Sequence, residues 1–177
     1  MPTTNGSPSA TNISTNNPNI KSVLNTLFEI WPRALPFNEL LPEEDRDMLT
    51  ATVMQCYLAN LVQLIQHPPK FVLEPSQRPR AFPMARLQAA DGLDRVSTLR
   101  HRTIILGDFD RMILAMLDGR HTREQLVEEA LASVARGDFA IQKKDEAVTD
   151  MAEARQVIAD SLPIVLQRLA TAALLVE

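Results

Sequence analysis

The spacing of apolar positions predicts an unstructured start followed by helices. Residues 1–19 carry no charged side chain and few apolar ones, which is typical of a disordered tail. From Ile20, apolar residues recur at helical spacing until Pro32 ends the run. Pro42 and the acidic residues after it predict the start of a second helix, which continues to His67.

The middle of the chain is predicted to hold short strands before the helices resume. Five prolines lie between positions 68 and 83, and they exclude a continuous helix there. Within that stretch, KFVLE at 70–74 predicts a short apolar strand. The segment VSTLRHRTIIL at 96–106 is rich in β-branched residues, so it predicts one strand, or two strands with a break near Arg100. The apolar spacing of DFDRMILAMLDG then predicts a helix over 108–119.

Two further helices are predicted near the end of the chain. Thr122 is a helix cap with Gln125 three residues later, which is the pattern of a capping box. This helix is expected to stop at Gly137. A long final helix is predicted over 149–173, and Pro163 inside it is expected to kink or split it.

The two halves of the sequence look alike. Each contains an amphipathic helix, a tight corner, a further helix, a longer helix and an apolar piece ending in Glu, namely FVLE at 71–74 and LLVE at 174–177. Because this order is that of a winged helix, it predicts a mainly α fold with short β elements, built from two tandem winged-helix-like modules. The predicted boundaries are 1–19 for the disordered tail, 20–75 for module 1, 76–107 for an Arg/Pro-rich connector with strands, and 108–177 for module 2.

Composition and motifs point away from catalysis. The net charge of −4 and the pI near 5.4 disfavour general nucleic-acid affinity, which needs many uncompensated basic residues. The single cysteine, Cys56, excludes an intrachain disulfide and a cysteine-based zinc site. The glycines are isolated, so no phosphate-binding loop is predicted, and we predict no catalytic, cofactor-binding or metal-binding residue. The lack of a signal peptide and of a membrane-length apolar run predicts a cytoplasmic protein.

Arginine is concentrated in the predicted connector, and three uses for it remain open. The side chains could donate to backbone carbonyls and acids within the fold, dock onto an acidic partner surface, or bind nucleic-acid phosphate. The third use is disfavoured because the candidate recognition helices carry acids at 43–45 and 128–129, which would repel phosphate. The candidate partner-binding residues are Arg78, Arg80, Arg86, Arg95, Arg100 and Arg102.

Several phrases in the same region resemble a known family. RPRAFPMARLQAADG, VSTLRHRTIIL and LAMLDGRHTREQLVE resemble the C-terminal winged-helix region of bacterial methyltransferases that carry a methyltransferase regulatory domain, of the protein-lysine methyltransferase type. WPRALPFNELL looks like the opening of that region, so the resemblance spans about residues 20–177. In those proteins a catalytic domain that binds S-adenosylmethionine and a middle domain precede this region. Their cofactor residues therefore have no matching positions in this sequence.

The resemblance implies a non-catalytic accessory role. Such a module would dock a methyltransferase catalytic subunit or its substrate protein, and S-adenosylmethionine would act only through that separate catalytic partner. No membrane is implied, and nucleic acid is an unlikely partner. The alternative is a winged-helix module that captures an extended peptide along a strand edge, as in the recognition of modified peptides. A DNA-binding regulator is the least favoured interpretation.

Overall fold

The protein is mainly helical with short antiparallel hairpins. The computed structural model describes residues 16–40, 46–140, 142–143, 146–148 and 150–176. The helices are α1 (Pro18–Ile30), α2 (Arg46–Leu58), α3 (Pro83–Ala90), α4 (Asp108–Met116), α5 (Arg123–Arg136) and α6 (Met151–Thr171), with one 3-10 turn at Phe37–Glu39. The strands are β1 (Arg95–Ser97), β2 (Thr103–Ile105), β3 (Gln142–Lys143) and β4 (Glu146–Ala147). The chain divides into two compact units, Met1–Pro68 and Pro69–Glu177.

In the first unit, α1 begins two residues before the predicted start. The Asn17 side chain accepts hydrogen bonds from the backbone N–H groups of Asn19 (2.9 Å) and Ile20 (3.4 Å), which caps the helix. Pro18 then occupies the first helical position, where its missing N–H has no cost. Within the described residues, a small core forms from Ile20, Val23 and Leu49. The rest of the predicted tail and the predicted start of the second helix at Pro42 lie outside the described residues.

The predicted end of α2 at His67 is wrong. Asn60 has a φ of 58°, and the N–H of Leu61 donates to the carbonyl of Cys56 at 2.9 Å. This pair of features forms a Schellman motif, which ends the helix at Leu58. Apolar residues keep a helical spacing beyond this point, so periodicity alone predicted a helix that is too long.

The second unit holds one continuous core. It collects small residues of α3, the β1–β2 pair and the inward faces of α4, α5 and α6. Residues of the predicted connector and of the predicted second module therefore pack together. The fully buried members with large side chains include Val96, Ile113, Leu114, Leu117, Leu126, Ile158, Leu166, Leu169, Leu174 and Leu175.

Helix α3 was not predicted, because the prolines around it masked its signals. Pro83 stands at the start of the helix, where proline is favoured rather than disruptive. Gly92 ends the helix with a φ of 79°, and the N–H of Leu93 donates to the carbonyl of Gln88 at 3.0 Å. The helix is therefore a short element with ordinary start and stop residues.

The predictions of α5 and α6 from capping residues and apolar spacing are mostly confirmed. The capping box is confirmed, since the Thr122 side chain accepts from the N–H of Gln125 and the Gln125 side chain accepts from the N–H of Thr122. Gly137 ends α5 with a φ of 81°. Helix α6 is not split at Pro163, which is exposed, while Leu162 and Val165 on either side are buried. Burial of that apolar face stabilises the helix on both sides of the proline.

The C-terminal residues close the second unit by pairing with the segment before α3. The N–H of Phe82 donates to the carbonyl of Leu174 at 2.8 Å, and the N–H of Val176 donates to the carbonyl of Arg80 at 2.8 Å. The predicted strand at 70–74 is wrong, since the backbone pairing of that segment is limited to the bond from the Val72 N–H to the Leu175 carbonyl, at 3.1 Å.

The mainly helical fold with a small two-stranded sheet is confirmed, but two tandem winged-helix modules are not. In its described residues, 16–40 and 46–68, the first unit contains helices and a 3-10 turn and no strand. The second unit contains the three helices and the hairpin that a winged helix needs, followed by α6.

Candidate docking surface on the β1–β2 hairpin

The β1–β2 hairpin, residues 95–105 and here named the wing hairpin, lies between α3 and α4 of the second unit. Its strands pair antiparallel, with Arg95 opposite Ile105, Val96 opposite Ile104 and Ser97 opposite Thr103. Of the two predicted alternatives for 96–106, the structure therefore supports two strands with a break near Arg100 and not one continuous strand.

The turn of the wing hairpin is fixed at both sides. Inside the turn, the N–H of Thr98 donates to the carbonyl of Arg102 at 2.8 Å, and His101 adopts a φ of 54°. Outside it, the N–H of Leu99 donates to the carbonyl of Ala173 at 3.1 Å, which ties the turn to the end of α6. The wing hairpin is thus held in place by backbone bonds.

The two faces of the wing hairpin differ in polarity. Val96 is fully buried, and Ile104 across from it packs against the same core. Because side chains alternate along a strand, the neighbouring pair of Arg95 and Ile105 faces away from the core. Ile105 is 67% exposed, which is a large fraction for an isoleucine.

The two edges of the wing hairpin also differ. Helix α3 covers the β1 edge, where the N–H of Ser97 donates to Gln88 Oε1 at 2.8 Å and Gln88 Nε2 donates to Ser97 Oγ at 3.3 Å. Among the described residues, no strand pairs with the outer edge of β2. Sequence reasoning did not distinguish these edges, because the distinction depends on a side chain from α3.

The six candidate arginines do not form one cluster. Arg95, Arg100 and Arg102 belong to the wing hairpin. The pKa of Arg100 is lowered by burial and then by the neighbouring positive charge of Arg102. Arg95 and Arg102 are exposed and form no ion pair with an acidic residue in the described part of the chain.

The remaining three candidates lie away from the wing hairpin. Arg86 is half-buried on α3, and its Nε donates to the carbonyl of Ala115 at 3.4 Å. The side chain of Arg80 lies so close to Gly119 that a Cβ at that glycine would come within 3.3 Å of the Arg80 Cβ. Arg78 is exposed, and its N–H donates to Ser76 Oγ at 3.2 Å. Arg80 and Arg86 thus have packing roles within the fold.

The corner between α4 and α5 contains a polar cluster that the sequence did not predict. The Asp118 carboxylate accepts from the backbone N–H groups of Arg120 (2.8 Å) and His121 (3.2 Å), and it lies 2.9 Å from His121 Nδ1. Burial raises the pKa of Asp118, but these hydrogen bonds outweigh burial and hold that pKa well below its ordinary value. His121 is half-buried and has Asp118 as its partner.

Ion pairs join the helices of the second unit. Asp110 of α4, whose side chain is 10% exposed, pairs with Arg168 of α6, whose side chain is 58% exposed. On the surface, Arg155 Nη2 of α6 lies 2.6 Å from Glu128 Oε1 of α5. The partner of Asp110 lies 58 residues away in the sequence, so this ion pair leaves no local signal.

Metal and membrane features are not present among the described residues. No group of three or more His, Cys, Asp or Glu side chains comes together there in a way that could hold a metal ion. No described helix combines the length and apolarity required to cross a bilayer.

The fold of the second unit defines the class of protein as a winged helix, and comparison with known proteins defines the family. The family described as "PKMT, C-terminal winged helix domain" matches residues 77–174. This match covers more than half of the chain, so the chain belongs to that family. The predicted resemblance to the C-terminal region of protein-lysine methyltransferases is confirmed.

Similar proteins come from Rickettsia. An uncharacterized protein of Rickettsia prowazekii (strain Madrid E) is 24% identical over 179 residues, which is 93% of this chain and 32% of that protein. The structure of PKMT2 from Rickettsia typhi in complex with AdoHcy is similar with a TM-score of 0.72 at 16% identity, over 89% of this chain and 34% of that chain. A second structure of PKMT2 from Rickettsia typhi gives a TM-score of 0.64 over the same shares. These structures support the fold, and this chain spans about a third of the length of these proteins.

Proposed function

We propose that the protein is a non-catalytic accessory module of an S-adenosylmethionine-dependent protein methyltransferase system. The observation that carries this proposal is the match of residues 77–174 to a C-terminal winged-helix domain rather than to a catalytic domain. In this role the module docks a methyltransferase catalytic subunit or the protein that is methylated, and it works in the cytoplasm.

The cofactor belongs to the catalytic partner in this proposal. The related PKMT2 was solved with AdoHcy, the product that S-adenosylmethionine leaves after methyl transfer. This chain corresponds to about a third of PKMT2, so we assign S-adenosylmethionine to the remainder of such a system and none to this chain. Isolated glycines and the lack of a glycine-rich loop in the sequence support that division.

Docking through the wing hairpin is supported by its charge and exposure. Arg95 and Arg102 are exposed, and Arg95 lies directly across the hairpin from the exposed Ile105. An exposed arginine near an apolar residue is typical of protein interfaces, where Arg is enriched relative to Lys. The close packing of Arg80 beside Gly119 and the hydrogen bond of Arg86 to the Ala115 carbonyl point to a structural use for those two side chains.

Peptide capture along a strand edge is the second candidate function, and the open edge of β2 favours it. A DNA-binding role has less support. Glu128 and Glu129 are exposed on α5, the helix that follows the corner, and would repel phosphate.

Affinity purification of the tagged chain from its native lysate, followed by mass spectrometry, tests the proposal. We expect enrichment of a methyltransferase catalytic chain or of its methylated substrate at about 0.05 M salt and less at about 0.3 M. The Arg95→Ala/Arg102→Ala double variant tests the docking surface. The Arg78→Ala/Arg120→Ala double variant is its matched control, because it removes the same charge at a different place. Recovery of no methyltransferase-related protein by any of these chains would contradict the accessory role.

A further inference from the structure

The outer edge of β2 exposes backbone groups that are arranged to pair with another strand. Residues 94 and 106, and residues 98 and 102, are joined by hydrogen bonds across the hairpin. Since hydrogen-bonded and non-bonded pairs alternate in an antiparallel ladder, the N–H and C=O groups of Thr103 and Ile105 point away from β1. No described group of the chain is hydrogen-bonded to them.

Such an edge is a template for an added strand. Unpaired N–H and C=O groups on an exposed strand readily bond to an extended segment of another chain. The opposite edge does not have this property, because Gln88 of α3 already bonds to Ser97. The wing hairpin therefore accepts an added strand on the β2 side.

The side chains at this edge specify the chemistry of the added strand. Ile105 is 67% exposed and Thr103 is exposed, so the strand would place apolar or β-branched side chains beside them. Since strands contact neighbours on alternate positions, this preference applies to every second residue of the added segment.

The charge around the edge is positive. The sequence from 95 to 107 contains three arginines and no Asp or Glu. The acid directly before this stretch, Asp94, is exposed, and the nearest acid after it, Asp108, is paired with Arg111 at 2.7 Å, so the three arginines still outnumber the unpaired acid at the ends of the hairpin. Burial and then the charge of Arg102 lower the pKa of Arg100. A carboxylate near Arg95 and Arg102 would be attracted to them, whereas a basic peptide would be repelled.

We propose that the outer edge of β2 binds an extended, acidic peptide segment as an additional antiparallel or parallel strand, with β-branched side chains beside Ile105 and carboxylates on the alternate positions that are attracted by the positive charge of Arg95 and Arg102. This proposal rests on the accessory function, because it names the surface and the chemistry through which that docking takes place. The segment belongs to the docked protein.

Titration of the ¹⁵N-labelled full chain with the peptide GEVTVEVEG, followed by NMR, tests the proposal. We expect saturable changes centred on the amide signals of Thr103 and Ile105, and slower hydrogen exchange at both amides. N-methylation along the centre of the peptide removes its backbone donors and weakens binding by about tenfold or more. The basic version GKVTVKVKG is expected to bind at least about tenfold more weakly.

Variants of the chain test which arginines contribute to peptide binding. Arg95→Ala/Arg102→Ala is expected to weaken binding about three- to tenfold and to reduce its salt dependence, while Arg120→Ala leaves both unchanged. Ile105→Pro removes one outward N–H of β2, and proline is tolerated at such an edge position. This variant is expected to weaken binding by a similar factor. The N-methylated peptide repeats that test without changing the chain.

Three results would overturn the proposal. These are no saturable change up to about 1 mM peptide, changes centred away from β2, or binding of the N-methylated or the basic peptide that is as tight as that of GEVTVEVEG. Binding at β2 without any methyltransferase-related protein in the affinity purification would keep this proposal and contradict the accessory function. If the Arg95→Ala/Arg102→Ala variant captures such a protein with undiminished yield, the accessory function stands and the assignment of docking to this surface is contradicted.

Discussion

The carboxylate of Asp118 lies 2.9 Å from Nδ1 of His121 and also accepts two backbone N–H bonds at the corner between α4 and α5. These bonds fix the chain between the two helices. Asp118 is thus a structural residue of the winged helix, and this is the physical role of the Asp in the sequence LDG at 117–119.

Replacement of Asp118 by Asn is expected to destabilise the fold at neutral pH by about 1–3 kcal/mol, because a charge-assisted acceptor is lost. The folded-state pKa of Asp118 is depressed, so its stabilisation is present above the unfolded pKa of about 3.9 and is lost as the pH falls below that value. Urea unfolding of the wild type between about pH 5 and pH 2 should show this loss, and Asp118→Asn should flatten it.

Asp138→Asn is the matched control for that series. Asp138 pairs with Arg136 on the surface, with both side chains more than half exposed, so its removal should cost about 0–1 kcal/mol. Identical acid profiles for the wild type and Asp118→Asn would contradict the proposed role of the corner.

The ion pair between Asp110 and Arg168 should matter more than the one between Glu128 and Arg155. Loss of Arg168 leaves the nearly buried carboxylate of Asp110 without its partner, so Arg168→Ala should cost about 1–3 kcal/mol. Arg155→Ala removes an exposed pair and should cost about 0–1 kcal/mol. Chemical denaturation of both variants checks the difference, and equal losses would show that Asp110 is better hydrated than its burial implies.

Gly119 and Gly92 both have positive φ but differ in their surroundings. Alanine at either position adds about 1–2 kcal/mol of backbone strain. At Gly119 the new Cβ also lies 3.3 Å from the Arg80 side chain, whereas at Gly92 nothing lies within 4 Å. Thermal unfolding should therefore place the Tm of Gly119→Ala below that of Gly92→Ala. The reverse order would mean that Arg80 moves aside at no cost.

Substitution of arginines separates the structural use from the docking use. Arg95→Ala/Arg102→Ala should change the free energy of unfolding by less than about 0.5 kcal/mol, because both side chains are exposed and have no described acidic partner. Arg86→Ala removes the bond to the Ala115 carbonyl and should cost about 1 kcal/mol. A larger loss of stability in the wing variant than in Arg86→Ala would assign the wing arginines to the fold and not to a partner.

The sequence predicted elements whose signals are local. The capping box of Thr122 and Gln125 and the helix stop at Gly137 follow from residue types at fixed spacing, and both are present. Asn60 also carried a local stop signal, but apolar periodicity beyond it favoured a longer helix. Local rules thus performed well until two of them disagreed.

Features that depend on distant residues were not predictable from spacing. The assignment of the connector to the core of the second unit arises because Ala81 pairs with Leu175 and Ala85 packs among the helices. Which edge of the wing hairpin is open depends on the reach of Gln88 to Ser97. The arginine-rich composition identified the region of the candidate site, but only the structure separated the exposed arginines from those used in packing.

Methyl transfer from radiolabelled S-adenosylmethionine tests the accessory function most directly. The purified chain alone should transfer no label, and the complex captured from lysate should label a protein. Removal of the chain from that complex should reduce protein labelling while the catalytic subunit still binds S-adenosylmethionine. Label transfer by the chain alone, or unchanged labelling of the same protein without the chain, would contradict the proposed role.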